Sequence, residues 1–167
     1  VPLLTEFSKP TVDDFVTTLR GMASVLLFIH HRGWVHGDLK PENFRWRTAA
    51  TGNAQDQSHV LCLLDFGLAR PVGDANRPRG AGTVGYCAPE FLNSLPADGR
   101  ADWYAVGVIL YEWVFGIRPY AADEPAAEIA GHLEGAPNFD LPRLRPAPEW
   151  ADAVITRLLA KSPDDRA

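Results

Sequence analysis

The stretch HGDLKPEN, residues 36–43, places four polar side chains of different chemistry close together: His36, Asp38, Lys40 and Asn43. Another aspartate, Asp65, follows the apolar run VLCLL at residues 60–64. A charged side chain at the end of an apolar run seldom serves packing alone. Two carboxylates, an amide oxygen and an ammonium group therefore indicate a site for chemistry.

This combination of groups suits the transfer of a phosphoryl group. Magnesium (Mg2+) prefers hard oxygen ligands and usually takes one or two protein carboxylates together with phosphates and water. Asn43 and Asp65 supply oxygens of this kind, Lys40 can neutralise charge on the phosphoryl group, and Asp38 can accept the proton of an attacking hydroxyl. Because phosphoryl transfer depends mainly on such positioning and charge compensation, these residues predict a magnesium-dependent phosphoryl-transfer site.

The elements that must hold these side chains are mostly helical. Thr11 and Asp14 have the spacing of a capping box, and apolar residues recur at helical intervals from Val12 to Ile29. Further helices are expected over residues 103–115, 126–133 and 149–160, and strands over residues 44–47 and 60–66. The segment 103–115 is apolar on nearly every face, which predicts a central buried helix. The fold class is therefore α+β, mainly α-helical, with short strands around the catalytic and magnesium loops.

Bulk composition narrows the classes of partner. The chain has 167 residues, 46% of them hydrophobic and 22% charged, as in ordinary globular domains. Its net charge of -5 disfavours nucleic acid as a partner, and its most apolar run is too short for a membrane span. The two cysteines form no C-x-x-C pair, which favours a reducing compartment and predicts a cytoplasmic location. The sequence leaves the oligomeric state open.

Five motifs, taken together, resemble a known family. They are HGDLKPEN, DFG at 65–67, GTVGYCAPE at 82–90, DWYAVG at 102–107 and LLAKSPDDR at 158–166. In this order they resemble the motifs of the eukaryotic-type protein kinase catalytic domain, and five ordered motifs make coincidence remote. The resemblance covers nearly the whole chain. It implies a serine/threonine-type kinase that uses ATP and Mg2+ to phosphorylate protein substrates.

The resemblance also implies a role for each residue that matches a motif. Asp38 is expected to be the catalytic base, and Lys40 is expected to contact the γ-phosphate of ATP. Asn43 and Asp65 are expected to hold magnesium and, through it, the nucleotide. Thr83 is expected to orient Asp38 and Lys40 and, together with Lys40, to mark a preference for serine and threonine.

Five further residues are expected to support the site. His36 and Phe66 are expected to pack on each other as part of an internal spine. Glu90 is expected to form a structural salt bridge with Arg166. Asp102, at the start of the central helix, is expected to cap the backbone of the catalytic loop, residues 36–43.

The domain boundaries follow from the same resemblance. Residues 1–167 contain neither a G-x-G-x-x-G loop nor a V-A-I-K-like strand. In the family these belong to an N-terminal lobe that covers the ATP phosphates. We therefore expect residues 1–167 to form the C-terminal lobe alone, without the family's final helix, with VPLLTEF at residues 1–7 as the connection between lobes. We also expect this fragment to be inactive by itself.

Gly37 departs from the pattern of many protein kinases, in which an arginine at this position pairs with a phosphorylated residue of the activation loop. Gly37 cannot form that pair, and residues 66–82 contain no serine, threonine or tyrosine. The sequence therefore predicts a kinase that is not controlled by phosphorylation of this loop.

Two alternatives stay open: a pseudokinase that acts as a binding or scaffold module, and a small-molecule kinase of the aminoglycoside or choline type. Small-molecule kinases often have an H-G-D loop but generally lack the equivalents of Lys40 and of APE at residues 88–90.

Overall fold

A computed structural model of the chain describes residues 3, 9–48, 59–74, 82–96 and 98–166. Most of the expected interlobe connection at 1–7 lies outside these residues, and so does most of residues 48–59, a polar run without periodicity that predicts an exposed loop. The helices are α1 (Val12–His30), α2 (Pro89–Leu92), α3 (Gly99–Phe115), α4 (Pro125–Glu134) and α5 (Ala151–Leu158). The strands are β1 (Trp34–Val35), β2 (Phe44–Thr48), β3 (His59–Leu63) and β4 (Arg70–Pro71). This content confirms the α+β, mainly helical class.

Helix α1 begins as its sequence predicts. The side chain of Thr11 accepts a hydrogen bond from the backbone N–H of Asp14, and the Asp14 carboxylate accepts one from the Thr11 N–H at 2.8 Å. This reciprocal capping box satisfies two of the backbone donors that a helix start leaves unpaired. The buried face, which includes Phe15, Met22 and Leu26, packs against β3 and α3.

The strands form two small antiparallel sheets. Strand β2 pairs with β3 in the register Phe44↔Leu63, and β1 pairs with β4 in the register Val35↔Arg70. The expected strand over residues 60–66 is too long at its C-terminal end, because β3 stops at Leu63 and Asp65 adopts a left-handed backbone with φ 60°. Strand β4 is not apparent from the sequence, since two residues are too few to show a period.

Helix α3 lies at the centre of the molecule. It starts four residues earlier than its apolar pattern indicates, at Gly99, with the side chain of Asp98 accepting a hydrogen bond from the Arg100 N–H. Three of its large side chains, Tyr104, Tyr111 and Trp113, are almost completely buried. The described part of the chain contains no helix with both the length and the apolar character that crossing a membrane requires.

Candidate active site

The catalytic loop lies between β1 and β2 and presents Asp38 at the protein surface, where its side chain is 14% exposed. One oxygen of the carboxylate, Oδ1, accepts a hydrogen bond from the backbone N–H of Thr83 at 2.7 Å. The other oxygen, Oδ2, lies 3.5 Å from the ammonium group of Lys40. The carboxylate is therefore oriented from one side while Oδ2 retains room to accept a proton.

Lys40 and Thr83 complete this cluster across a sequence separation of more than forty residues. The Lys40 ammonium group donates a hydrogen bond to the Thr83 hydroxyl at 3.3 Å. Thr83 precedes a single turn of 3-10 helix at Val84–Tyr86, and this turn places both its backbone N–H and its side chain toward the catalytic loop. Lys40, with its side chain 27% exposed, is thus held beside Asp38 in a position to meet an anionic group.

Asn43 and Asp65 have the donor chemistry that magnesium requires. The amide group of Asn43 donates its N–H to the Asp38 carbonyl at 2.8 Å, and its oxygen makes no hydrogen bond within the described residues. Asp65 is exposed, and its Oδ1 accepts from the Gly67 N–H at 3.3 Å. Among the described residues no group of three or more His, Cys, Asp or Glu side chains could hold a metal by itself. That absence is compatible with magnesium, which takes few protein ligands and fills its other positions with phosphates and water.

Backbone and ring contacts hold the Asp65 segment beside the catalytic loop. The Leu64 N–H donates to the Asn43 carbonyl at 2.8 Å, and the His36 Nε2 lies 3.0 Å from the Leu64 carbonyl oxygen. The rings of His36 and Phe66 meet edge to face with centroids 5.1 Å apart. His36 is completely buried, whereas Phe66 is 49% exposed. The expected packing of these two rings is present.

The carboxylate of Asp102 anchors the catalytic loop from the first turn of α3. It accepts the backbone N–H of His36 at 2.8 Å on Oδ2 and that of Gly37 at 2.9 Å on Oδ1. The imidazole Nε2 of His30, at the end of α1, also lies 2.8 Å from Oδ2. Asp102 is 1% exposed, so three polar contacts compensate a buried charge that would otherwise be costly.

Glu90 and Arg166 form a two-pronged ion pair in the interior, with N–O distances of 2.7 and 2.8 Å. The same guanidinium group donates to the carbonyl oxygens of Ala160, Arg100 and Lys161. Both side chains are buried, to 6% and 0% exposure. The pair ties the segment that follows Thr83 to the C-terminal end of the described chain.

A hydrogen bond from Tyr86 to Glu112 supports the turn next to Thr83. The Tyr86 hydroxyl donates to Glu112 Oε2 at 2.6 Å. Burial, together with this hydrogen bond, raises the pKa of Tyr86, so the phenol remains protonated and remains a donor. The turn that carries Thr83 is thereby fixed to α3.

A second polar cluster lies between α3 and α4. The Tyr104 hydroxyl is 2.9 Å from Nδ1 of His132, which is fully buried, and Lys161 donates to the carbonyl oxygens of Gly131 and His132 at the end of α4. Burial lowers the pKa of His132 to about 4 and the pKa of Lys161 to about 8, and it raises the pKa of Tyr104. The phenol therefore donates to a neutral imidazole.

Sequence reasoning identified the clustered residues but missed three that contact them. His30 binds Asp102, Glu112 binds Tyr86, and the guanidinium group of Arg70 approaches Gly37. The partners of the first two bonds are 72 and 26 positions apart, and neither pair forms a local motif. The sequence signal for His30 and Glu112 is a polar residue in or at the end of an apolar helix. Such residues also occur at positions that contact no functional group, so this signal alone does not identify them.

The family to which the chain belongs follows from sequence comparison. The family described as "Protein kinase domain" matches residues 4–167. Since this match spans nearly the entire sequence, the chain belongs to the protein kinase domain family. The chemistry of this family is protein phosphorylation, and ATP binding is typical of it.

Several curated relatives are serine/threonine-protein kinases. The chain is 37% identical over 147 residues to PknJ of Mycobacterium tuberculosis, a match covering 85% of the chain and 24% of PknJ. It is 37% identical over 159 residues to Pkn1 of Myxococcus xanthus, covering 90% of the chain and 22% of Pkn1. It is 31% identical over 156 residues to calcium/calmodulin-dependent protein kinase type 1 of Caenorhabditis elegans, covering 93% of the chain and 43% of that kinase. The chain thus spans less than half the length of each of these relatives.

Proposed function

We propose that the full-length protein transfers the γ-phosphoryl group of ATP to serine or threonine hydroxyls of other proteins. The observation that carries this proposal is the convergence of Asp38, Lys40 and Thr83. The Asp38 carboxylate is held by the Thr83 N–H at 2.7 Å, and the Lys40 ammonium group contacts both residues. A carboxylate with one accessible oxygen beside a fixed cation suits the activation of a hydroxyl next to a phosphate.

Each residue contributes a separate part of this reaction. Asp38 accepts the proton of the substrate hydroxyl on Oδ2, while the Thr83 N–H keeps the carboxylate in orientation. Lys40 compensates negative charge on the phosphoryl group during transfer. Asn43 and Asp65 offer the oxygens that would hold magnesium, and the metal, when bound, neutralises charge on the ATP phosphates. The Asn43 amide also fixes the backbone carbonyl of Asp38, which couples the metal-binding residue to the base.

The serine/threonine preference and the regulation of the enzyme belong to the same proposal. Lys40 and Thr83 together mark the serine/threonine type in the family. Their side chains are in contact beside Asp38, which supports a serine/threonine-type site. Control by phosphorylation of the activation loop is disfavoured, since residues 66–82 offer no hydroxyl acceptor and Gly37 offers no cation. We propose that the enzyme is constitutively competent or is controlled by a partner or another domain.

A phosphoryl-transfer assay on the full-length protein tests the main proposal against its two alternatives. The substrates are a basic protein, a choline-like alcohol and an aminosugar, each with ATP and magnesium, and the Asp65→Asn variant is the control. We expect transfer to the protein substrate and loss of that transfer in the control. Transfer to none of the substrates by a folded protein would indicate a pseudokinase, and transfer to a small alcohol alone would indicate a small-molecule kinase.

Phosphatase treatment tests the regulatory part. The active full-length enzyme is treated with phosphatase, repurified and assayed again on the same protein substrate. We expect an unchanged rate, because no residue of 66–82 can carry a phosphate ester of serine, threonine or tyrosine. A large loss of rate traced to a phosphate on Thr83 would contradict this part. Residues 1–167 expressed alone are expected to show no transfer.

A further inference from the structure

Arg70 brings a buried guanidinium group against the backbone of the catalytic loop. Its backbone pairs with Val35 across the β1–β4 sheet, and the residue as a whole is 7% exposed. A Cβ atom placed on Gly37 would lie 3.3 Å from Nη2 of Arg70 and 3.7 Å from its Nε. The space beside Gly37 is thus occupied by an arginine that comes from the segment following Asp65.

The contacts of this guanidinium group are to the backbone and to an aromatic ring. Nη2 donates to the carbonyl oxygen of Leu68 at 2.7 Å, and Cζ lies 5.6 Å from the centre of the Phe91 ring on α2. Within the described residues no carboxylate pairs with Arg70, and its buried Nε–H has no hydrogen-bond acceptor. Burying a cation without a carboxylate is unfavourable, so an apolar side chain would fill this volume with less penalty. Packing alone therefore does not account for an arginine here.

We propose that Arg70 is a positioning residue that holds the Asp65 segment in register with the catalytic loop by a permanent contact. This inference rests on the proposed function, because it explains how the loops are ordered without a phosphate. The Arg70 side chain donates to Leu68 within its own segment, lies beside the loop backbone at Gly37 and reaches Phe91 on helix α2. In an enzyme controlled by phosphate, the contact that orders this segment against the catalytic loop would form only after the activation loop is phosphorylated.

Gly37 and Arg70 fit each other sterically. Gly37 adopts φ 78°, and a Cβ atom there would also lie 3.2 Å from the Leu68 carbonyl oxygen, the same atom that accepts the Arg70 hydrogen bond. Any side chain at position 37 would therefore press on the donor and on the acceptor of that bond. The adjacent residue is Asp38, so a shift there moves the catalytic base relative to Asp65. Displacements of about 1 Å in such sites can lower rates about 100-fold.

The first test compares Arg70→Met with Arg32→Met in the full-length protein. Arg32 is a matched control, because it also lies on an aromatic ring, that of Phe28, and also donates to a backbone carbonyl, but it is exposed just after the end of α1. We expect Arg70→Met to lower kcat about 10-fold to 100-fold with KM for the protein substrate changed less than about threefold. Arg32→Met is expected to keep both parameters. A kcat for Arg70→Met within about threefold of the control overturns the proposal.

Hydrogen exchange on the nucleotide-free protein gives a second readout that does not depend on activity. Arg70→Met is expected to speed exchange of the amides of residues 66–70, which include the Ala69 N–H bonded to Phe66, and to leave α3 unchanged. Unchanged exchange at residues 66–70 overturns the proposal. If the wild-type protein transfers no phosphate, the proposed function fails, while faster exchange in this variant still supports the role of Arg70.

A pair of glycine variants tests the same contact even if Arg70→Met does not fold. Gly33 has φ 75° with no atom within 4 Å of the position that a Cβ would take, whereas Gly37 has φ 78° with Leu68 and Arg70 at 3.2 and 3.3 Å. Both alanine variants place a Cβ at a positive φ, and Gly37→Ala alone presses on the hydrogen bond between Arg70 and Leu68. We expect kcat of Gly37→Ala to fall at least about fivefold below that of Gly33→Ala. Equal rates for the two variants overturn the proposal.

Discussion

The catalytic loop and helix α3 are in contact but differ in exposure and in backbone regularity. The loop keeps Asp38 and Lys40 partly exposed and includes a left-handed residue, Gly37, while Asp65 beside it also has a positive φ. Helix α3 is regular and almost completely buried over its length. Leu39 anchors the loop in the hydrophobic core, and the backbone N–H groups of His36 and Gly37 are bonded by Asp102 of α3. Part of the loop geometry therefore comes from the buried helix.

The connection between the two regions is made by a few buried polar groups. Asp102 lies in the first turn of α3 and accepts two backbone N–H groups of the loop. Half-buried Glu112, further along α3, accepts the hydroxyl of Tyr86 in the turn that follows Thr83, which contacts the loop. The regular helix holds these acceptors in fixed positions. The loop has backbone N–H groups that are not bonded within a helix or a sheet and can therefore donate to them. Reactivity and rigidity are therefore located in separate parts of this molecule and are joined by hydrogen bonds.

The greatest loss of activity is expected on the reactive side. Asp38→Asn removes the proposed proton acceptor but keeps the shape of the side chain, so the rate of phosphoryl transfer should fall about 100-fold to 10,000-fold. The melting temperature should change little, because the side chain is not part of the core. The measurement is kcat beside a thermal melt, with Asp123→Asn, an exposed carboxylate, as control. A melting temperature that falls together with the rate would contradict the separation of the two regions.

The next effect lies on the rigid side. Arg166→Met leaves the Glu90 carboxylate buried without its cation and removes donors to three backbone carbonyls, which should lower the free energy of unfolding by about 3–5 kcal/mol. Urea unfolding of the full-length protein measures this loss. Arg100→Met is the matched control, since its partner Asp164 is exposed and Asp98 is only partly buried, and the expected loss is less than about 1 kcal/mol. Equal losses for the two variants would refute the structural role of the buried pair.

A pH-dependent effect of similar or smaller size comes from His132. The folded pKa of about 4 lies below the ordinary value of 6.5 for an exposed histidine. The neutral imidazole therefore stabilises the folded state above pH 6.5, and this stability is lost as the pH falls toward 4, by up to about 3 kcal/mol. His132→Gln should flatten the dependence of unfolding free energy on pH across this window. An equally steep dependence in the variant would show that other groups cause it.

The weakest effect lies at the connection itself, where the two regions meet. Asp102→Asn keeps the size of the side chain but replaces one acceptor by a donor that faces a buried N–H, so we expect a loss of about 1–3 kcal/mol in unfolding free energy. The rate should fall about 10-fold, because the loop backbone at His36 and Gly37 loses an anchor. Asp98→Asn is the control, since asparagine caps a helix as well as aspartate does. A loss of stability without a loss of rate would show that Asp102 stabilises the fold but does not position the catalytic loop for phosphoryl transfer.

The local features of the fold are predictable because their causes are local. The capping box of α1 follows from two side chains three residues apart, and burial of α3 follows from apolar residues on all its faces. The apolar pattern places the start of α3 too late because the first turn is polar, and that pattern contains no information about capping by Asp98. The sequence places the C-terminal end of β3 too late, because Leu64 and Phe66 continue the apolar run although they lie outside the strand.

Residue types, their order and their short spacings are enough to predict the candidate site residues, the helical class and the family. They also show that position 37 has no cationic side chain and that residues 66–82 contain no serine, threonine or tyrosine. Folding is what brings His30 to Asp102 and Arg70 to Gly37. These contacts join residues distant along the chain, and packing of α1, β4 and α3 around the loop sets their distances. No local pattern records such distances, since they arise only when the whole chain is folded.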